Sequence, residues 1–140
     1  MSRGSRADRV DAVFALPEAM AYPVTDLFRD RFADRFFPLK DEGELPVPAR
    51  CLDPVRAAKR SVLLTVKHTP FLERCPCTPG HIGCGYRILS VVEGCHMDCA
   101  YCILQTYLNA PVTRLNVNLS DMEQELSETF EGHPDRTFRV

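Results

Sequence analysis

Residues 86–102 read YRILSVVEGCHMDCAYC, an apolar run that stops at a glycine and opens at once onto three cysteines. Tyr86 to Val92 has the length and β-branched content of a strand, and Glu93 and Gly94 end it. Cys95, Cys99 and Cys102 then follow at C-x3-C-x2-C spacing. Three thiolates on one tight loop after a buried strand can hold three irons of a [4Fe–4S] cubane, for which cysteine thiolate is the usual ligand. A cluster that only carries electrons normally has four cysteines. Three leave one iron open to an exogenous ligand, which suits a cofactor-binding role. Two alternatives stay open. Cys99 and Cys102 alone have the C-x-x-C spacing of thioredoxin-like redox sites, which leaves Cys95 unexplained. A zinc site could combine the same cysteines with Cys75, Cys77, Cys84 or His81.

Downstream of the cysteines, Ile103 to Leu108 starts a helix that Asn109 to Pro111 stops. Val112 to Val117 is predicted to be a strand. Ser120 opens a further helix, with Glu123 three residues on forming a capping box. Met122, Leu126 and Phe130 give that helix an apolar stripe, and Gly132 with Pro134 ends it. Thr137 to Val140 begins another strand. The order from residue 86 is strand, loop, helix, strand, helix, strand, which predicts parallel βαβ units. One such unit needs roughly 30 residues or more, so at most two fit here. The expectation is the N-terminal piece of a longer protein.

Upstream, Ser61 to Lys67 (SVLLTVK) reads as a buried strand. Residues 68–85 are irregular and rich in Pro, Gly and Cys. Cys75, Cys77 and Cys84 are expected to be structural thiols, with a second metal site as the alternative. Cys51 is expected to be an inert buried thiol. Asp53 and Pro54 start a short basic helix. Residues 38–49 contain Pro38, Pro46 and Pro48 and read as a linker. Thr25 or Asp26 caps a helix running to about Phe37, with Phe28, Phe32 and Phe36 as its core stripe. The first dozen residues are polar and expected to fray. His81 and His96 read as loop histidines, and Gln105 and Asn109 as supports for the cysteine loop.

The 140 residues are 45% hydrophobic and 26% charged, ordinary globular usage that argues against disorder over the whole length. The net charge of −2 predicts no general affinity for nucleic acid. Locally the balance differs. Residues 50–87 carry seven basic side chains against Asp53 and Glu73, and residues 120–131 carry five acidic ones and no basic one. The basic stretch is compatible with a phosphate-bearing partner, Lys67 and Arg87 being the candidates for DNA phosphate contact, but a solvated face is the expected reading. No run of 18 apolar residues occurs and no apolar leader follows Arg3, Arg6 and Arg9, so neither a membrane span nor a signal peptide is expected. The chain is therefore expected to be cytoplasmic, and seven cysteines in that setting favour metal or redox chemistry over disulfides.

The motif C-x3-C-x-aromatic-C resembles the signature of the radical S-adenosylmethionine superfamily. The likeness extends across residues 70–109, where Pro70-Phe71-Leu72, Cys75, Cys84-Gly85-Tyr86 and Tyr101-Cys102-Ile103-Leu104-Gln105 resemble the spore photoproduct lyase family. The resemblance implies an α/β fold, the N-terminal part of a partial (β/α) barrel after a small helical and irregular region. Its division would be 1–60 for that region and 61–140 for the start of the barrel. The cluster loop would sit at the C-terminal ends of the strands. It further implies that Cys95, Cys99 and Cys102 ligate a [4Fe–4S] cluster and that Tyr101 packs near the adenine of S-adenosylmethionine. The implied activity is a radical lyase that splits ultraviolet-induced thymine dimers in DNA, served by an electron donor such as flavodoxin or ferredoxin. The family's hydrogen-donor cysteine and its acidic, glycine-containing cofactor motif are expected beyond Val140. Cys51, Cys75, Cys77 and Cys84 do not match the donor's place.

Overall fold

A computed structural model describes residues 10–46, 58–76, 80, 82–83, 85–97, 101 and 112–132. Strand β1, Ala12–Ala15, lies between β2, Phe36–Pro38, and β3, Ser61–Thr65, and is parallel to both. Strand β3 also pairs in parallel with β7, Thr113–Asn116. The sheet order is β2-β1-β3-β7-β6, where β6 is the two-residue strand Val92–Glu93. Strands β1 and β3 are apolar on both faces because both faces are covered, the usual state of a parallel sheet. Val13, Ala15 and Leu64 join Ala19, Phe32 and Val117 on one side, and Phe14 and Leu63 join Ala58 and Val112 on the other.

Helix α1, Pro23–Arg31, starts with Pro23 in its first turn and Tyr22 as N-cap. It packs Val24 and Phe28 against the first of these clusters. The expected helix to Phe37 is therefore corrected at both ends. Thr25 is no cap: it is buried, and its hydroxyl donates to the Ala19 carbonyl at 2.6 Å. The helix ends at Phe32 (φ −123°, ψ 34°), a short 3-10 turn over Ala33–Arg35 follows, and Phe36 belongs to β2. Phe28 and Phe32 do stack, at 5.8 Å between ring centroids. The four-residue spacing survives the break because Phe36 packs against the same cluster from a strand. Of the first dozen residues, expected to fray, 1–9 lie outside the described residues and Ala12 opens β1.

The described residues fall into two compact units, Met1–Val66 with Val92–Val117, and Lys67–Val91 with Asn118–Val140. The second contains an antiparallel ribbon of β4, Leu72–Arg74, and β5, Arg87–Leu89. Its other element is helix α2, Leu119–Glu131. The Glu125 carboxylate accepts from the backbone N–H of Phe71 at 2.7 Å and of Leu72 at 3.0 Å, which ties the helix to the ribbon. Asn118, 1% exposed, accepts from the Lys67 N–H at 3.0 Å and donates to the Lys67 carbonyl at 3.1 Å. That residue is the helix N-cap, so the Ser120/Glu123 capping box is corrected; Gly132 ends the helix as expected.

Tyr86 to Val92 is not one strand. Its first part pairs with β4, which lies inside the stretch expected to be irregular. Its last part, β6, runs antiparallel to β7. The parallel units expected from residue 86 onward are therefore corrected: β5 is antiparallel to β4 and β6 to β7, while β7 finds its parallel neighbour upstream in β3. The helices expected from Asp53 and over 103–108, and the strand at Thr137–Val140, lie outside the described residues.

Candidate metal centre

The cysteine loop begins where β6 ends. Gly94 adopts φ +95°, a conformation that glycine takes without steric cost. A Cβ there would lie 3.1 Å from the Val112 carbonyl oxygen and 3.4 Å from the Thr113 Cα. The glycine lets the chain turn hard against the start of β7 and delivers Cys95 half-buried at the edge of the sheet. Asn116 adds a long contact one residue earlier, its amide donating to the Glu93 carboxylate at 3.4 Å.

Cys95 leaves the C-terminal end of β6, as expected of a cluster loop. Because β6 is antiparallel to β7, the same point lies beside the N-terminal end of β7. The expected placement at C-terminal strand ends holds for β6 and is corrected for the parallel strands. This brings the residues just before β3 into reach. Lys59 is 5% exposed, and its ammonium donates to the Met97 carbonyl at 2.8 Å. The Met97 N–H in turn donates to the Cys95 sulfur at 3.4 Å. A half-buried thiol with a peptide N–H aimed at its sulfur fits a cluster ligand, since hydrogen bonds to sulfur tune iron–sulfur sites.

Other sequence-derived candidates are placed as follows. Cys99 and Cys102 lie outside the described residues, as do Cys51, Cys77, Cys84, His81, Gln105 and Asn109. Tyr101 is 91% exposed, and His96 is exposed. Cys75 is half-buried, its N–H donating to the Tyr86 carbonyl at 3.1 Å. Lys67, a candidate for phosphate contact, has its ammonium 3.4 Å from the Glu73 carboxylate. In the sequence Lys59 is one of seven basic residues over 50–87. Lysine is rarely buried, so nothing in the sequence singles it out. Among the described residues, no helix is long and apolar enough to cross a membrane.

No protein-family model matches the sequence, and no curated protein sequence does. Solved structures do match. Spore photoproduct lyase complexed with dinucleoside spore photoproduct superposes with a TM-score of 0.74 at 23% identity, over 92% of this chain and 38% of that one. A variant of spore photoproduct lyase with bound AdoMet and dinucleoside spore photoproduct gives 0.69 at 24% identity, over 91% and 38%. This chain therefore spans well under half the length of those proteins. Over the matched residues it has the fold of spore photoproduct lyase.

Proposed function

We propose that this chain is the cluster-binding part of a radical S-adenosylmethionine lyase that repairs ultraviolet-damaged DNA. The observation that carries the proposal is Cys95, first of three cysteines at C-x3-C-x2-C spacing, held at the end of β6 in a chain with the spore photoproduct lyase fold. Cys95, Cys99 and Cys102 would hold a [4Fe–4S] cluster. When bound, the cluster would supply the electron that cleaves S-adenosylmethionine to methionine and a 5′-deoxyadenosyl radical. The chain's own residues have simpler tasks. Gly94 turns the backbone so that the first thiolate lies against the sheet edge. The Met97 N–H steadies that sulfur. Tyr101, exposed here, offers an aromatic face to an adenine ring.

The substrate in this proposal is a thymine-dimer lesion in DNA. Two solved relatives in complex with dinucleoside spore photoproduct support that choice. A small electron carrier such as flavodoxin or ferredoxin would reduce the cluster, and the cytoplasm is the compartment where such a carrier and unpaired thiols coexist. A lesion inside a duplex must be exposed before chemistry, by flipping out of the stack. The test is anaerobic reconstitution with iron and sulfide, followed by electron paramagnetic resonance of the reduced protein with and without S-adenosylmethionine. A [4Fe–4S]⁺ signal that changes on adding S-adenosylmethionine is the expected result. Purified anaerobic protein that carries zinc and no iron would overturn the proposal.

A further inference from the structure

From the burial and bonding of Lys59 we infer that this lysine is a positioning residue for the cluster: its ammonium holds Met97, two residues past the first cysteine, and raises the cluster's reduction potential. The inference rests on the three-cysteine assignment above. Lys59 is 5% exposed, unusual for a side chain that normally keeps its ammonium in water. Its partner is a backbone carbonyl, not a carboxylate, so the bond at 2.8 Å leaves the positive charge uncancelled by that partner. The carbonyl belongs to Met97, midway in sequence between Cys95 and Cys99. The same residue's N–H points at the Cys95 sulfur, so holding one side of Met97 orients the donor on the other.

The consequence is electrostatic as well as geometric. Three thiolates leave the oxidised site with net negative charge, and reduction adds another. A nearby fixed cation in a partly buried setting favours the reduced form, because potentials of these clusters follow net charge and hydrogen bonding to sulfur. Lys59 precedes β3 while Cys95 follows β6, so the two meet only because β3, β7 and β6 are neighbours in the sheet.

The test compares the wild-type chain with Lys59→Gln and Lys59→Arg after anaerobic reconstitution. Glutamine keeps an N–H donor for the Met97 carbonyl and drops the charge; arginine keeps both. Iron content is measured first, and the midpoint potential is then titrated by electron paramagnetic resonance. Lys59→Gln should load iron yet shift to lower potential by about tenfold in the reduction equilibrium, ~59 mV for one electron. Lys59→Arg should stay near wild type. A Lys59→Gln potential equal to wild type overturns the role of Lys59 while leaving the cysteine assignment intact. A wild-type chain that takes up no cluster overturns both. If Lys59→Gln loses its fold by circular dichroism and Lys59→Arg does not restore wild-type loading and potential, the role is overturned in favour of plain packing.

Discussion

Replacing Gly94 with alanine tests the geometry that delivers Cys95. Two costs arise. An L-residue at φ +95° is strained, by ~1–2 kcal/mol for the left-handed region. The new Cβ would also press on the Val112 carbonyl oxygen at 3.1 Å, a backbone atom at the start of β7 that cannot swing aside as a flexible side chain would. Crowding of this kind adds ~1–3 kcal/mol. Together they come to about 2–5 kcal/mol if the loop keeps its place. If the loop yields instead, Cys95 moves off the sheet edge and cluster loading falls. Gly85 is the internal control. It has φ +72° with nothing within 4 Å of its would-be Cβ, so Gly85→Ala carries strain without contact. The assay is urea unfolding of the anaerobic apo-protein, followed by iron analysis after reconstitution. Gly94→Ala should lose more stability than Gly85→Ala, or lose iron where Gly85→Ala does not. Equal unfolding midpoints and equal iron in both variants would refute the reasoning.

Three further outcomes are expected. Glu125→Ala strips the acceptor from the backbone N–H groups of Phe71, itself 2% exposed, and Leu72, at a cost of ~3–6 kcal/mol for two charge-assisted bonds. Amide hydrogen exchange at Phe71 and Leu72 should then accelerate by ~100-fold or more. Asn118→Ala removes both bonds to the Lys67 backbone and the contact to Asp121 at 2.7 Å, so the Lys67 amide should exchange faster while the Leu63 and Leu64 amides do not. Cys102→Ala should abolish iron loading, because two cysteines cannot hold the cubane, while Cys51→Ala leaves it unchanged. Equal iron content in those two variants would sink the ligand assignment.

How much of this was legible depended on whether local pattern and tertiary partner agreed. Ser61–Thr65 is apolar and β-branched and sits between two parallel neighbours, so propensity and context point the same way. Leu119–Glu131 was recognisable by its periodicity and its terminal glycine. Ala12–Ala15 has no strong local signature because the five residues between charged Asp11 and Pro17 carry little strand signal; its strand character comes from pairing on both sides. Phe36 was misplaced for the opposite reason. Its spacing from Phe28 and Phe32 is helical, but the backbone at Phe32 leaves the helix, and Arg35 is held there by its bond to the Val10 carbonyl at 2.7 Å. The run from Tyr86 to Val92 looked like one strand because both halves are apolar. The change of partner between Leu89 and Val92 has no local signature, since a sequence window carries no record of which strand lies alongside. Of the candidate site, the cysteine spacing was legible and the buried lysine was not.

The placement of that lysine also says why the sheet matters for the proposed chemistry. Loops alone would let Lys59 and Met97 drift, since 38 residues separate them in sequence. The register does not. Val62 faces Thr113 across β3 and β7, and Glu93 faces Arg114 across β7 and β6. Those pairs set how far the end of β6 stands from the start of β3. Slipping one pairing by a residue would move Gly94 by about 3.3 Å along β7 and turn its neighbours to the opposite face. The contact with Val112 and the bond from Lys59 would then be lost together. Buried Leu63, Leu64 and Val117 are fitted into separate clusters on the two faces of the sheet, and a slip would break that packing on both. A core that carries no chemistry of its own therefore fixes where the Lys59 ammonium stands relative to Cys95, the thiol proposed as a cluster ligand, and on that proposal core mutations in β3 should be read for cluster potential as well as for stability.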